Sequence, residues 1–194
     1  MIISHKHQFI FLANAKTGTS SMYSVLEQFN ETKFKQHKTL GAGFNSVNLD
    51  FDFSNYFIFC FVRNPWDRTI SRYYQQQKPI NLHHPWRKYL HRLAHKYSPR
   101  DFLKKVDESF FKRGAQSNYY LLEGNLINFV GRFENLQEEF YVACDKIGIP
   151  RQQLPHKNKG KHKHYTEYYD GKTEQIVAEK HAKDIEHFGY KFGE

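Results

Sequence analysis

The sequence predicts an α/β protein: a central, mainly parallel sheet flanked by helices. Three observations predict it. Two apolar runs, residues 9–13 (FIFLA) and 56–62 (YFIFCFV), have the length and polar boundaries of strands buried on both faces. Each run is followed by a turn and then by a stretch with helical features. Strands that alternate with helices favour parallel pairing, because parallel neighbours need a crossover between them.

The elements follow in order. Residues 9–13 form the first strand, and the small polar residues 14–20 form a turn. Met22, Val25, Leu26 and Phe29 recur at i, i+3, i+4 and i+7, which predicts a helix. Residues 30–55 have weak periodicity and read as loop with one short helix. Residues 56–62 are the strongest strand in the chain. Asn64 then serves as N-cap and Pro65 as the first helical position. Residues 86–97 and 99–106 read as two more helices, the second capped by Ser98. Residues 126–130 form a third core strand. Asn135 and Glu138 open a helix whose apolar positions are Leu136, Phe140, Cys144 and Ile147, stopped by Gly148 and Pro150. A basic loop spans 156–164. A last helix covers 173–187, buries Ile176, Val177 and Ile185, and ends at Gly189.

With 194 residues and no linker or repeat, the chain reads as a single domain, residues 1–194. Its hydrophobic and charged content exclude a disordered or collagen-like chain. Phe and Tyr, 18 and 13 in number, carry much of the core. The net charge of +9 calls for an anionic partner, whether nucleotide, nucleic acid, polyanionic glycan or membrane surface. The apolar run at 9–13 is too short for a signal sequence or a membrane span, so the chain reads as cytoplasmic. Cys60 and Cys144 read as buried thiols rather than as a disulfide or metal site.

Two loops carry the chemistry. The first is Asn14-Ala15-Lys16-Thr17-Gly18-Thr19-Ser20-Ser21, between strand and helix. A helix N-terminus offers unpaired N–H groups and a positive dipole end to anionic oxygens. Gly18 lets the backbone approach, four hydroxyls add donors and Lys16 adds a full charge. The loop is a cradle for a diphosphate-like group. It is not a Walker A loop, where Lys follows the last Gly. Taken alone it also fits an ordinary Ser/Thr-rich helix start with a solvated lysine. The second loop, Arg63-Asn64-Pro65-Trp66-Asp67-Arg68-Thr69-Ile70-Ser71, leaves the carboxyl end of the best strand, where open α/β sheets bind ligands. Arg63 is suited to grip a phosphate bidentately. Ser71 lies two turns into the helix on the same face as Arg68. Arg68 either joins that site or pairs with an acid such as Asp67 or Glu134. Two anion loops at adjacent strands suit one ligand with two separated phosphate groups.

At these residues the chain resembles a sulfotransferase that uses 3′-phosphoadenosine-5′-phosphosulfate (PAPS). FLANAKTGTSSM resembles the family's 5′-phosphosulfate loop and FVRNPWDRTISRYY its 3′-phosphate motif. VGRFENLQEEF and the C-terminal YYDGKTEQIV…DIEHFGYKF resemble the carbohydrate sulfotransferase branch, which has bacterial members. The resemblance covers nearly the whole chain and implies a P-loop-kinase-like sulfotransferase fold, with a parallel sheet between helices. It implies that Lys16, Thr17, Gly18, Thr19 and Ser20 hold the 5′-phosphosulfate, and that Arg63 and Ser71 hold the 3′-phosphate. Ala15 departs from the family's usual Pro. Lys16 also acts catalytically on the leaving oxygen, and no metal clamp is expected.

The resemblance points to a His general base after the first helix, here His37, with His83 and His84 in reserve among 12 histidines. In the basic loop, Lys159 and Lys161 are expected to touch the 3′-phosphate or an anionic substrate, although such a run also reads as a solvated basic face. Gln116 and Tyr119 are expected to line the acceptor cleft. The acceptor is a hydroxyl, first of all on a carbohydrate. Competing readings are a P-loop-type nucleotide kinase, which lacks the Walker lysine order here, and a non-enzymatic basic nucleic-acid-binding domain.

Overall fold

A computed structural model describes residues 1–31, 52–78, 84–112, 115–116, 127–155 and 162–194. In chain order the strands and helices are β1 (Ile2–Ser4), β2 (Phe9–Leu12), α1 (Thr19–Leu26), β3 (Phe57–Val62), α2 (Pro65–Gln77), α3 (Pro85–Lys96), α4 (Pro99–Lys105), α5 (Glu108–Lys112), β4 (Phe129–Arg132), α6 (Leu136–Ile147), α7 (Gly171–Lys180) and α8 (Ala182–Phe188). The chain divides into two compact units. One comprises Met1–Arg63 and Gln116–Lys159, the other Asn64–Ala115 and Gly160–Glu194.

The first unit holds a four-stranded mixed sheet in the order β1-β2-β3-β4. β2 pairs parallel with β3, and β3 parallel with β4. β1 pairs antiparallel with β2 at the edge, a three-residue strand too short to leave a periodic signal in the sequence. Along β2 and β3 the side chains alternate between two buried faces. Phe9, Phe11, Phe59 and Phe61 lie on one face with Met22, Val25 and Leu26 of α1 and Phe140, Ala143 and Cys144 of α6. Ile10, Leu12, Ile58 and Cys60 lie on the other. Each fully buried phenylalanine contributes roughly 1.5–3 kcal/mol. Gly131 of β4 is there for clearance: a Cβ would stand 2.5 Å from the Phe61 ring. β4 lies later than the expected 126–130. Asn135 precedes α6, but its side chain makes no capping hydrogen bond. Both cysteines are buried and free, and burial pushes the Cys60 thiol up to about 12.

The second unit is helical. Asn64 caps α2 as its sequence predicts, its Oδ1 accepting from the Trp66 and Asp67 N–H groups at 3.1 and 3.4 Å. Ser98 caps α4 in the same way, accepting from the Asp101 N–H at 3.2 Å. The start of α2 is tied to the C-terminal segment. The Trp66 indole donates to the Glu174 carbonyl at 3.0 Å, Tyr169 donates to the Trp66 carbonyl at 2.8 Å, and the Asn64 amide donates to the Lys191 carbonyl at 3.0 Å. The expected helix over 173–187 is two helices. α7 begins at Gly171 behind a capping box of Asp170 and Thr173, and ends where His181 leaves helical geometry at φ −119° and ψ 23°. α8 follows. Val177 is fully buried, whereas Ile176 and Ile185 are only partly so. Among the described residues, no helix is long and apolar enough to cross a membrane.

Candidate functional site

The parallel ladder of β2 and β3 ends at Leu12 opposite Cys60, so both strands deliver their following residues to one edge of the sheet. From β2 the chain enters Asn14, which is fully buried. Its carbonyl accepts the Thr17 hydroxyl at 2.9 Å and also the Thr19 hydroxyl. Around that carbonyl the loop curls through two left-handed residues, Lys16 at φ +71° and Gly18 at φ +77°. A left-handed conformation is costly for Lys, and such strain collects at ligand sites. Gly18 is the N-cap of α1 and brings no capping side chain; its carbonyl accepts the Ser21 N–H at 2.9 Å. Ser20 is exposed in that first turn, while Thr17 is fully buried.

From β3 the chain enters Arg63, 8% exposed. Its Nη1 donates to the Lys16 carbonyl at 3.2 Å, and its guanidinium lies over the Phe133 ring, 4.1 Å from the centroid. The structure thus brings the Arg63 head to the Lys16 backbone, a meeting of two cationic residues 47 positions apart. The main chain of Arg63 is held by Gln116, whose Nε2 donates to the Arg63 carbonyl at 2.8 Å and whose Oε1 accepts the Arg63 N–H at 2.8 Å. Gln116, expected to line the acceptor cleft, is fully buried, with its amide bound to the main chain of Arg63. Sequence reasoning missed this role because an uncharged amide in an aperiodic stretch carries no signal.

Ser71 belongs to the second unit, half-buried in α2. Arg68, Thr69 and Arg72 of the same helix are buried. The Arg72 guanidinium lies over Phe110 at 4.2 Å. Arg68 and Arg72 both act by charge on the buried His181 of the same unit. His84 is an N-cap: its Nδ1 accepts the Trp86 N–H at 3.2 Å. His37, His83, Tyr119, Lys159 and Lys161 lie outside the described residues.

Comparison with known proteins adds an independent finding. The model of the sulfotransferase family matches residues 1–191. An uncharacterized protein of Archaeoglobus fulgidus is 30% identical over 101 residues, which cover 52% of this chain and 74% of the relative. No solved structure matches the chain.

Proposed function

Because the chain belongs to the sulfotransferase family, we propose that it moves a sulfuryl group from PAPS to an acceptor hydroxyl, in the first instance on a carbohydrate. The carrying observation is the meeting of the Arg63 guanidinium with the Lys16 carbonyl, at the ends of two adjacent parallel strands. A curled loop at a helix N-terminus on one strand and a phosphate-gripping arginine on the next fit a nucleotide with anionic groups at its 5′ and 3′ positions. This reading carries with it a fold related to nucleotide kinases, with residues 14–20 in the place of their phosphate loop.

In the reaction, the acceptor oxygen attacks sulfur in line as the bond from sulfur to the 5′-phosphate oxygen breaks, and adenosine 3′,5′-bisphosphate leaves. Lys16 offsets charge that grows on the bridging oxygen. The N–H groups of Thr17, Gly18 and Thr19, with the Ser20 hydroxyl, hold the 5′-phosphosulfate. Thr17 and Thr19 also brace the loop through their own hydroxyls on Asn14. Arg63 and Ser71 hold the 3′-phosphate, with Lys159 and Lys161 as further cations toward it or toward an anionic acceptor. His37 takes the acceptor proton, a role suited to a side chain that titrates near neutral pH. Tyr119 stays in the acceptor-lining role.

The test measures transfer of labelled sulfate from PAPS to a panel of glycans and small alcohols, with chelator present. Transfer to a glycan is expected, with Lys16→Ala and Arg63→Ala each lowering turnover by at least about a hundredfold. His37→Ala is expected to lower kcat far more than nucleotide affinity. Binding of ATP with magnesium and not of adenosine 3′,5′-bisphosphate would replace this reading with a kinase. Steeply salt-dependent binding of RNA without any nucleotide binding would replace it with a nucleic-acid binder.

A further inference from the structure

Gln116 is fully buried, yet it belongs to none of the strands it touches. Pairing of β3 with β2 ends at Cys60, and pairing with β4 ends at Val62 opposite Arg132. Arg63 is the next residue, past the end of every ladder. There the side-chain amide of Gln116 takes over. It accepts the Arg63 N–H and donates to the Arg63 carbonyl, both at 2.8 Å, which satisfies both main-chain groups of one residue much as neighbouring strands would. The same Oε1 accepts from the Asn14 amide at 3.4 Å, and that amide also donates to the Phe61 carbonyl at 3.1 Å. Two buried side-chain amides therefore join the tips of β2 and β3. One of them, Asn14, also bears the carbonyl that Thr17 and Thr19 hold.

We propose that Gln116 is a positioning residue for the nucleotide: by fixing the main chain of Arg63, it sets where the guanidinium meets the 3′-phosphate. The inference rests on the proposed function, since it concerns the affinity that Arg63 supplies. Side-chain direction follows backbone conformation, so a freed N–H and carbonyl at Arg63 would let its head leave the Lys16 carbonyl and the Phe133 ring. Asn14 couples the same amide to the loop, but the effect on Arg63 is the direct one.

The test titrates the full chain with adenosine 3′,5′-bisphosphate and with adenosine 5′-monophosphate, which lacks only the 3′-phosphate. Gln116→Met keeps the bulk and removes both hydrogen bonds to Arg63, along with the longer one from Asn14. It is expected to weaken bisphosphate binding at least about tenfold and monophosphate binding less than about twofold. In an Arg63→Met background it should add no further loss. Gln116→Glu supplies a rescue readout should Gln116→Met fail to fold. A protonated carboxyl both donates to the Arg63 carbonyl and accepts from its N–H; a carboxylate has no proton to give. The preference of Gln116→Glu for the bisphosphate should therefore match the unsubstituted protein at low pH and fall as the carboxyl ionises, after division by the unsubstituted protein's own profile. Equal weakening of both ligands, or a preference that stays flat with pH, would reduce Gln116 to packing and overturn the proposal. An unsubstituted protein with no preference for the bisphosphate would instead remove the 3′-phosphate site, and the proposed function with it.

Discussion

Gly18 answers two demands that no other residue meets together. Its backbone is left-handed at φ +77°, and a Cβ there would stand 2.5 Å from Leu136 Cδ2. Gly18→Ala must either shift the loop or push the Leu136 side chain aside. We expect a loss of about 1–3 kcal/mol in urea unfolding, with a larger proportional loss of nucleotide affinity. Unchanged unfolding would mean that the loop relaxes without cost. Lys16, Gly18 and Arg63 were legible in the sequence because charge and backbone freedom are properties of single residue types. Gln116 was not: its effect is on a main chain 53 positions away, and only the fold brings the two together. Thr17 and Thr19 were read as donors for an anion, and the structure gives their hydroxyls a bracing contact on Asn14 that no spacing rule expresses.

At the scale of elements, punctuation decided what was readable. Asn64-Pro65 and Ser98-Pro99 marked two helix starts because cap and ring chemistry are local. The break between α7 and α8 was hidden, since apolar spacing continues through it. That break places His181 at 3% exposure, with its Nδ1 3.4 Å from an Asp184 oxygen. The short distance suggests an ion pair, yet Nδ1 makes no hydrogen bond. Desolvation, the largest effect, lowers the proton affinity of His181, and the charges of Arg68 and Arg72 lower it further. Asp184 acts the other way and does not prevail, so His181 is neutral at neutral pH. An unfolded chain takes up this proton below the ordinary value of 6.5, whereas the folded chain resists it. Stability from this site is therefore full above about pH 6.5 and falls as pH drops below it. Urea midpoints measured from pH 7.5 to 5 should decline in that window, with a smaller decline in His181→Gln. A level midpoint, or equal declines in both proteins, would show that folding does not lower the proton affinity of His181. Asp170, held well below the usual carboxylate range first by its hydrogen bond from Lys104, belongs to a lower window near its ordinary 3.8 and does not blur the result.

Over the whole molecule, neither compact unit is a continuous stretch of sequence. The chain leaves the first unit after Arg63, returns at Gln116, and leaves again after Lys159. Its composition gave the size and the excess of positive charge, but no linker or change of residue usage marks these crossings. A chain cut after Lys159 keeps β1 to β4 and α6, and it also keeps α2 to α5 without α7 and α8. It loses the partners that hold the start of α2, namely the carbonyls of Glu174 and Lys191 and the hydroxyl of Tyr169. Limited proteolysis of such a fragment is expected to cut first within 64–115 and to spare 1–31. Equal protection of both stretches would show that α2 holds without the C-terminal segment.

The same tie to Lys191 bears on synthesis. Asn64 leaves the ribosome 127 residues before Lys191, whose carbonyl its amide will hold. Until then Trp66, which the finished protein buries, has no cover from the C-terminal segment, and the nascent chain must be shielded by collapse or by a chaperone. The start of α2 therefore gains its native partners only once residues as far as Lys191 have been made, long after the first strands have emerged.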